Sequence, residues 1–127
     1  MNNALGLLGI AKKAGKLAIG EEASSMAVRD HHAKAVFTAH DASARAVGFA
    51  ENARTIHIHL EETREELGNL FGRASCAIFA VCDVGIAAAV AEKLGEPFKE
   101  QSIVLSEMAE RAKHRKLKKI SRKGKIK

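Results

Sequence analysis

The chain has 127 residues, room for one domain and little more, and its 46% hydrophobic content with five Phe, no Trp and no Tyr calls for a mainly aliphatic globular core. The formal charge of +6 is unevenly spread: residues 111–127, RAKHRKLKKISRKGKIK, hold ten Lys or Arg and no acid, leaving 11 basic against 15 acidic side chains, a net −4, in the first 110. No apolar run reaches the roughly 18 residues of a membrane span, and MNNALGLLGIAKKAG lacks a basic start and a small-residue cleavage site, so neither a membrane protein nor a secretory leader is expected.

Residues 4–14 place Leu5, Leu8 and Ala11 at helical steps, with Leu7 and Ile10 widening the face. Lys12 and Lys13 stand where cations favour the helix dipole, and Gly15 is the expected stop. Leu17-Ala18-Ile19 reads as a short strand turning at Gly20 into a helix over 21–30, closed by Asp30-His31-His32. The run Ala35–Ala39 suits a strand covered on both faces. Asp41 or Ser43 can cap a helix over 44–53. Ile56-His57-Ile58-His59-Leu60 alternates strictly, as a strand with one apolar and one polar face does. Thr63-Arg64-Glu65-Glu66 matches a capping box opening a helix to about Phe71. Residues 76–81 (CAIFAV) form the most apolar strand, Asp83 caps a helix over 84–94, and Gly95 with Pro97 ends it.

This alternation predicts an α/β fold, one sheet with helices on both faces. Residues 1–95 form the expected domain and 96–127 a basic extension, largely flexible. Within that extension Ile103–Leu105, Met108 and Ala112 predict a short helix against the body, with too little apolar content beyond Arg111 to fold alone.

Catalytic signatures are missing. The glycines fit neither GxGxxG nor GxxxxGK[ST], and no GxSxG elbow occurs. Cys76 and Cys82 form no CxxC pair and read as inert core thiols in a reducing cytoplasm. His57 and His59 share one strand face but lack an evident third metal ligand. Glu61-Glu62 and Glu65-Glu66 surround a helix start, where carboxylates stabilise the dipole. The expectation is no catalysis, no cofactor and no metal.

The segment GKLAIGEEASS (residues 15–25) resembles a phosphate grip: a glycine between strand and helix, followed by free helix N–H groups. Glu21 and Glu22 occupy that turn instead, and they stabilise the helix while repelling phosphate. The longer stretch LLGIAKKAGKLAIGEEASSMAVRDHHAKAVFTAHDAS, then TREELGNLFG and AIFAVCDVGIA, resembles the kink-turn RNA-binding ribosomal proteins, the L-seven-Ae/L-thirty-e family, and its small bacterial members most. The resemblance covers residues 4–94. It implies a three-layer α/β/α sandwich around a mixed, mostly four-stranded sheet.

It also implies an RNA grip beginning at Gly20. The family's Gly-x-Asn-Glu-x-x-Lys falls on Gly20, Glu22, Ala23 and Met26, so three of the four positions carry other side chains. An ionised Glu22 only accepts hydrogen bonds, and Met26 cannot hold a phosphate. Lys16 matches a basic position of the family. Gly72-Arg73-Ala74-Ser75 matches the loop that packs against the flipped-out part of the RNA, which places Arg73 and Ala74 in the site.

Together these readings predict a ribosome- or structured-RNA-associated protein whose kink-turn grip is degraded. Its binding would be chiefly electrostatic, through Lys113, Arg115, Lys116, Lys118, Lys119, Arg122 and Lys123 of the tail. The alternative is a protein-interaction module that kept the fold, lost specific RNA binding, and takes a ribosomal or other protein as partner.

Overall fold

The structure is a computed structural model that describes residues 3–125, with side chains from Ala4 to Leu117. Six helices and four strands alternate: α1 Asn3–Lys13, β1 Leu17–Ile19, α2 Glu21–Arg29, β2 Ala35–Thr38, α3 Ala44–Glu51, β3 Ile56–His59, α4 Arg64–Phe71, β4 Ile78–Val81, α5 Val84–Leu94, then a 3-10 turn over Glu96–Phe98 and α6 Lys99–Lys125. The expected α/β/α sandwich with a four-stranded mixed sheet is what forms. The strand order is β1-β4-β2-β3. β4 is antiparallel to both its neighbours, β1 and β2, while β2 and β3 are parallel.

Side-chain alternation sorts two cores. On one face Phe37, Phe79, Val81 and Ile58 pack with Leu8 of α1, Leu67 and Phe71 of α4, Val90 of α5 and Leu105 of α6. Phe37 and Phe79, paired in register, stack at 4.9 Å, and Phe71 meets Phe79 edge-on at 5.1 Å. On the other face Val36, Ile78 and Ala80 meet Ala27 of α2 and Ala50 of α3. β3 is an edge strand, and His57 and His59 share its polar side as the alternation predicts. The buried Thr38 hydroxyl lies 2.8 Å from His57 Nε2 and 2.8 Å from His59 Nδ1. Burial, and then His59, pull the His57 pKa down.

The caps follow the sequence closely. Ser43 Oγ accepts from Ala46 N, the Thr63–Glu66 capping box closes, and Asp83 accepts from Ile86 N. Asp41, the other candidate for α3, turns instead to α4. It accepts from Arg64 N at 2.8 Å, and that bond holds its carboxyl below the usual range. Cys76 is buried and Cys82 half-buried, and burial pushes both thiols up.

The C-terminal region departs from expectation. In place of a short helix around residues 103–112, α6 runs 27 residues. Its packing against the body is the expected one: Leu105 is fully buried, and Met108 and Ala109 pack against the same core. Apolar content alone underestimates such a segment, because Lys, Arg, Glu, Ala and Leu are strong helix formers. A packed first half also supplies the costly nucleus from which they propagate.

Candidate nucleic-acid interface

The strand directions gather Gly20, Ser43, Thr63 and the 72–77 loop at one edge of the sheet. Three helices, α2, α3 and α4, start there and point their partly positive N-termini outward. Ser43 and Thr63 cap two of them with side chains, whereas α2 has Gly20 at its N-cap and no side-chain cap bond. The first-turn N–H groups of α2 thus receive no side-chain cap at this edge.

Gly20 holds φ +97° and ψ 168°, a conformation almost confined to glycine. Its N–H donates to Ile78 O at 2.9 Å, which ties the turn to β4. A Cβ built on Gly20 would lie 3.5 Å from Arg73 Nη1. The two segments that resemblance assigns to RNA contact, 53 positions apart by residue number, are therefore adjacent, with one guanidinium over the glycine.

The loop carrying Arg73 is held from three sides. Gly72 takes the left-handed position (φ 71°) that ends α4. Arg73 N then donates to Gly68 O at 2.7 Å, and Cys76 N to Arg64 O at 2.9 Å. The loop crosses α4 so closely at Gly68 that a Cβ there would lie 2.6 Å from Ser75 Cα. From α1, Lys12 Nζ donates to Phe71 O at 2.6 Å. Sequence reasoning gave Lys12 only a dipole role. Its long-range bond to Phe71 has no local sequence signal.

At the same edge Glu21 is engaged rather than free. Arg45, in the first turn of α3, donates to it through Nε at 3.1 Å and Nη2 at 2.5 Å. The pair is exposed and adds little stability, but it offsets one of the two charges that oppose an anion here. Glu22 is exposed and Met26 is 52% exposed. Ala74 is exposed in the loop beside Arg73.

Lys16 is not part of this edge. It precedes β1, and its carbonyl accepts from Cys82 N at the far end of the sheet. α6 reaches that same far end: Met108 lines a cleft with Lys34 and Thr55, which precede β2 and β3. Past Met108 the helix continues for roughly 25 Å and carries the exposed Arg111, Lys113, Arg115 and Lys116. The side chains of Lys118, Lys119, Arg122 and Lys123 lie outside the described residues.

No helix is long and apolar enough to cross a membrane, and no cluster of three metal-ligating side chains occurs, among the described residues. No family model and no curated protein matches the chain. Among solved structures it is similar to a protein of unknown function from Bacillus halodurans C, 24% identical, with a TM-score of 0.66 over 76% of this chain and 100% of that one. That likeness speaks for the fold alone.

Proposed function

We propose that this is a non-catalytic RNA-binding protein, associated with the ribosome or another structured RNA. Docking at the Gly20–Arg73 edge supplies shape, and the cationic α6 supplies most of the affinity. One observation carries the reading. Arg111, Lys113, Arg115 and Lys116 are exposed, and the ion pairs among the described residues are Arg45–Glu21 and Arg64–Asp41, neither of which touches α6. The body's carboxylates do not neutralise those cations, which leaves them for an external polyanion. At the Gly20 edge the uncapped α2 N-terminus and Arg73 can take a phosphate, while Glu22, Ala23 and Met26 give no base-reading donor.

The test is a gel-shift series with a kink-turn, a plain duplex and a single-stranded RNA, each across a salt titration. Truncation after Glu110 should remove most affinity and most salt sensitivity. A truncated body that binds as tightly as the full chain would refute the role of α6. One observation favours a second reading. Met26 is half exposed beside Glu22, Arg29 and Arg45 in a shallow cavity of about 540 Å³, a surface suited to a protein partner.

A further inference from the structure

Two features coincide at the end of the sheet opposite Gly20. The first is a cleft of about 730 Å³ between the C-terminal ends of α2 and α3 and the middle of α6. Arg29, His31, Lys34 and Arg54 stand around it, Phe49 and Met108 are among its apolar lining, and no carboxylate lines it. The second is backbone conformation. Where α1, α4 and α5 end, glycine takes the positive-φ position, at Gly15, Gly72 and Gly95. Where α2 and α3 end, His31 (φ 61°) and Arg54 (φ 54°) take it, and these are the positive-φ non-glycine residues among those described. α2 closes by the usual two bonds, His31 N to Val28 O and His32 N to Ala27 O, for which glycine is the unstrained choice. At both ends a polar side chain is kept at a conformational cost, and both side chains line the same cleft.

Helix dipoles do not account for the charge. The C-termini of α2 and α3 together amount to about one negative charge, against three formal cations in Arg29, Lys34 and Arg54. The excess continues in both directions. A neighbouring cavity of about 610 Å³, which shares His31 and Lys34 with the cleft, adds Lys16 and His32, with Asp30 as its one acid. On α6, Arg111 and Arg115 follow Met108 by three and seven positions and so share its stripe.

We infer that this cleft is a second RNA contact, gripping the phosphate backbone and passing it on to α6. The inference rests on the RNA-binding reading above and specifies where on the body the strand lies. A row of cations running from a concave site along a helix suits a linear polyanion. Arg suits phosphate in particular, through its planar fork of donors. Cations rather than paired base-reading groups dominate the lining, so backbone phosphate is the main thing the cleft recognises.

The test uses the full chain with a single-stranded RNA, followed by fluorescence anisotropy from 50 to 200 mM salt, and compares the parent with the double variant Lys34→Gln, Arg54→Gly. Each lost phosphate contact on a single strand lowers the salt slope by about 0.7. The affinity fall across that range should therefore shrink about sevenfold, with weaker binding at 50 mM. Arg54→Gly alone should raise the melting temperature by a few degrees by relieving the left-handed residue, while it weakens RNA binding. Higher stability with weaker binding is the expected pairing, and it separates lost contact from lost fold. If both variants bind RNA like the parent with the same salt slope, the cleft inference is overturned and the RNA-binding reading stands. If the parent binds none of a kink-turn, a duplex or a single strand, the reading beneath it fails as well. If polyglutamate displaces the RNA at equal charge concentration, the cleft belongs to an acidic protein and the inference is overturned.

Discussion

Replacing Gly68 by Ala tests how the Arg73 loop is built. Gly68 lies inside α4, where Ala is ordinarily preferred to Gly by about 0.8–1 kcal/mol. Here the added methyl would meet Ser75 Cα at 2.6 Å, Ser75 N at 2.7 Å and Arg73 O at 2.8 Å. Normal contact begins near 3.5 Å, so the loop must retreat by roughly 0.7–0.9 Å. All three atoms are backbone and are tied in place by the Arg73–Gly68 and Cys76–Arg64 bonds, so no side-chain rotation relieves them. Overpacking of this kind costs about 1–3 kcal/mol, which exceeds the helix gain over most of that range and leaves a net loss of up to roughly 2 kcal/mol. For a domain of this size that is a fall of up to about 8 °C in Tm. Gly48→Ala in α3 is the matched control: its methyl meets nothing within 4 Å, so it should stabilise by about 0.5–1 kcal/mol. Thermal melts of the two variants should move in opposite directions. A Gly68→Ala protein that melts above the parent, as the Gly48→Ala protein should, would refute the close crossing and with it the fixed position of Arg73.

Gly20→Ala leaves an ordinary contact to Arg73 but forces a side chain onto φ +97°. It should destabilise by about 1–3 kcal/mol in a denaturant titration, from strain rather than from crowding. His57 binds its proton less readily when folded than its ordinary value of 6.5, so the unfolded chain holds more protons just below that pH. Stability from this group is complete above about 6.5 and is lost as pH falls through the folded pKa. Melts at pH 7.5 and 5 should show that decline, and His57→Gln should flatten it. Glu22→Asn with Ala23→Glu and Met26→Lys rebuilds the grip pattern that the resemblance implies. It should raise kink-turn affinity in a gel shift without altering single-strand binding, and an unchanged kink-turn affinity would argue that this edge does not meet RNA.

Much of the architecture was legible because it rests on local signals. Period-2 and period-3.6 patterns marked the strands and helices, and Thr63, Glu66, Asp83 and Gly95 marked helix ends with chemistry specific to those positions. Asp41 shows the limit: its sequence position suits a cap on α3, and only the fold reveals that it serves α4. Lys16 shows another. Its place in the motif puts it near Gly20, yet three strand residues carry the chain from one edge of the sheet to the other. The Lys34–Arg54 cleft had little sequence signal, because its cations come from the end of α2 and two separate connections, each ordinary alone. His31 and Arg54 were the only local hint, since a helix end without glycine is an oddity whose meaning appears when two of them face one cavity.

The Gly20–Arg73 edge and the cationic cleft sit at opposite ends of one sheet, and that spacing governs how their contributions combine. Gly20 N bonds to Ile78 O and Lys34 N to Val81 O, so the ends are separated by the length of β4, about 10 Å of strand, with Arg73 and Lys34 reaching from opposite ends. At 0.1 M salt the Debye length is also about 10 Å, so screening weakens the effect of charge at one end on the potential at the other. An RNA that uses both must bind them as independent contacts on one rigid body, because each end is anchored to the same strand. Substitutions this far apart, with no shared partner, add in free energy to within about 0.5 kcal/mol. Arg73→Gln and Lys34→Gln should therefore multiply their affinity losses on a structured RNA long enough to reach both ends. On a short single strand that reaches only α6 and the cleft, Arg73→Gln should have no effect. Equal losses from Arg73→Gln on the long and the short RNA would show that Arg73 acts through the overall field rather than through a contact of its own.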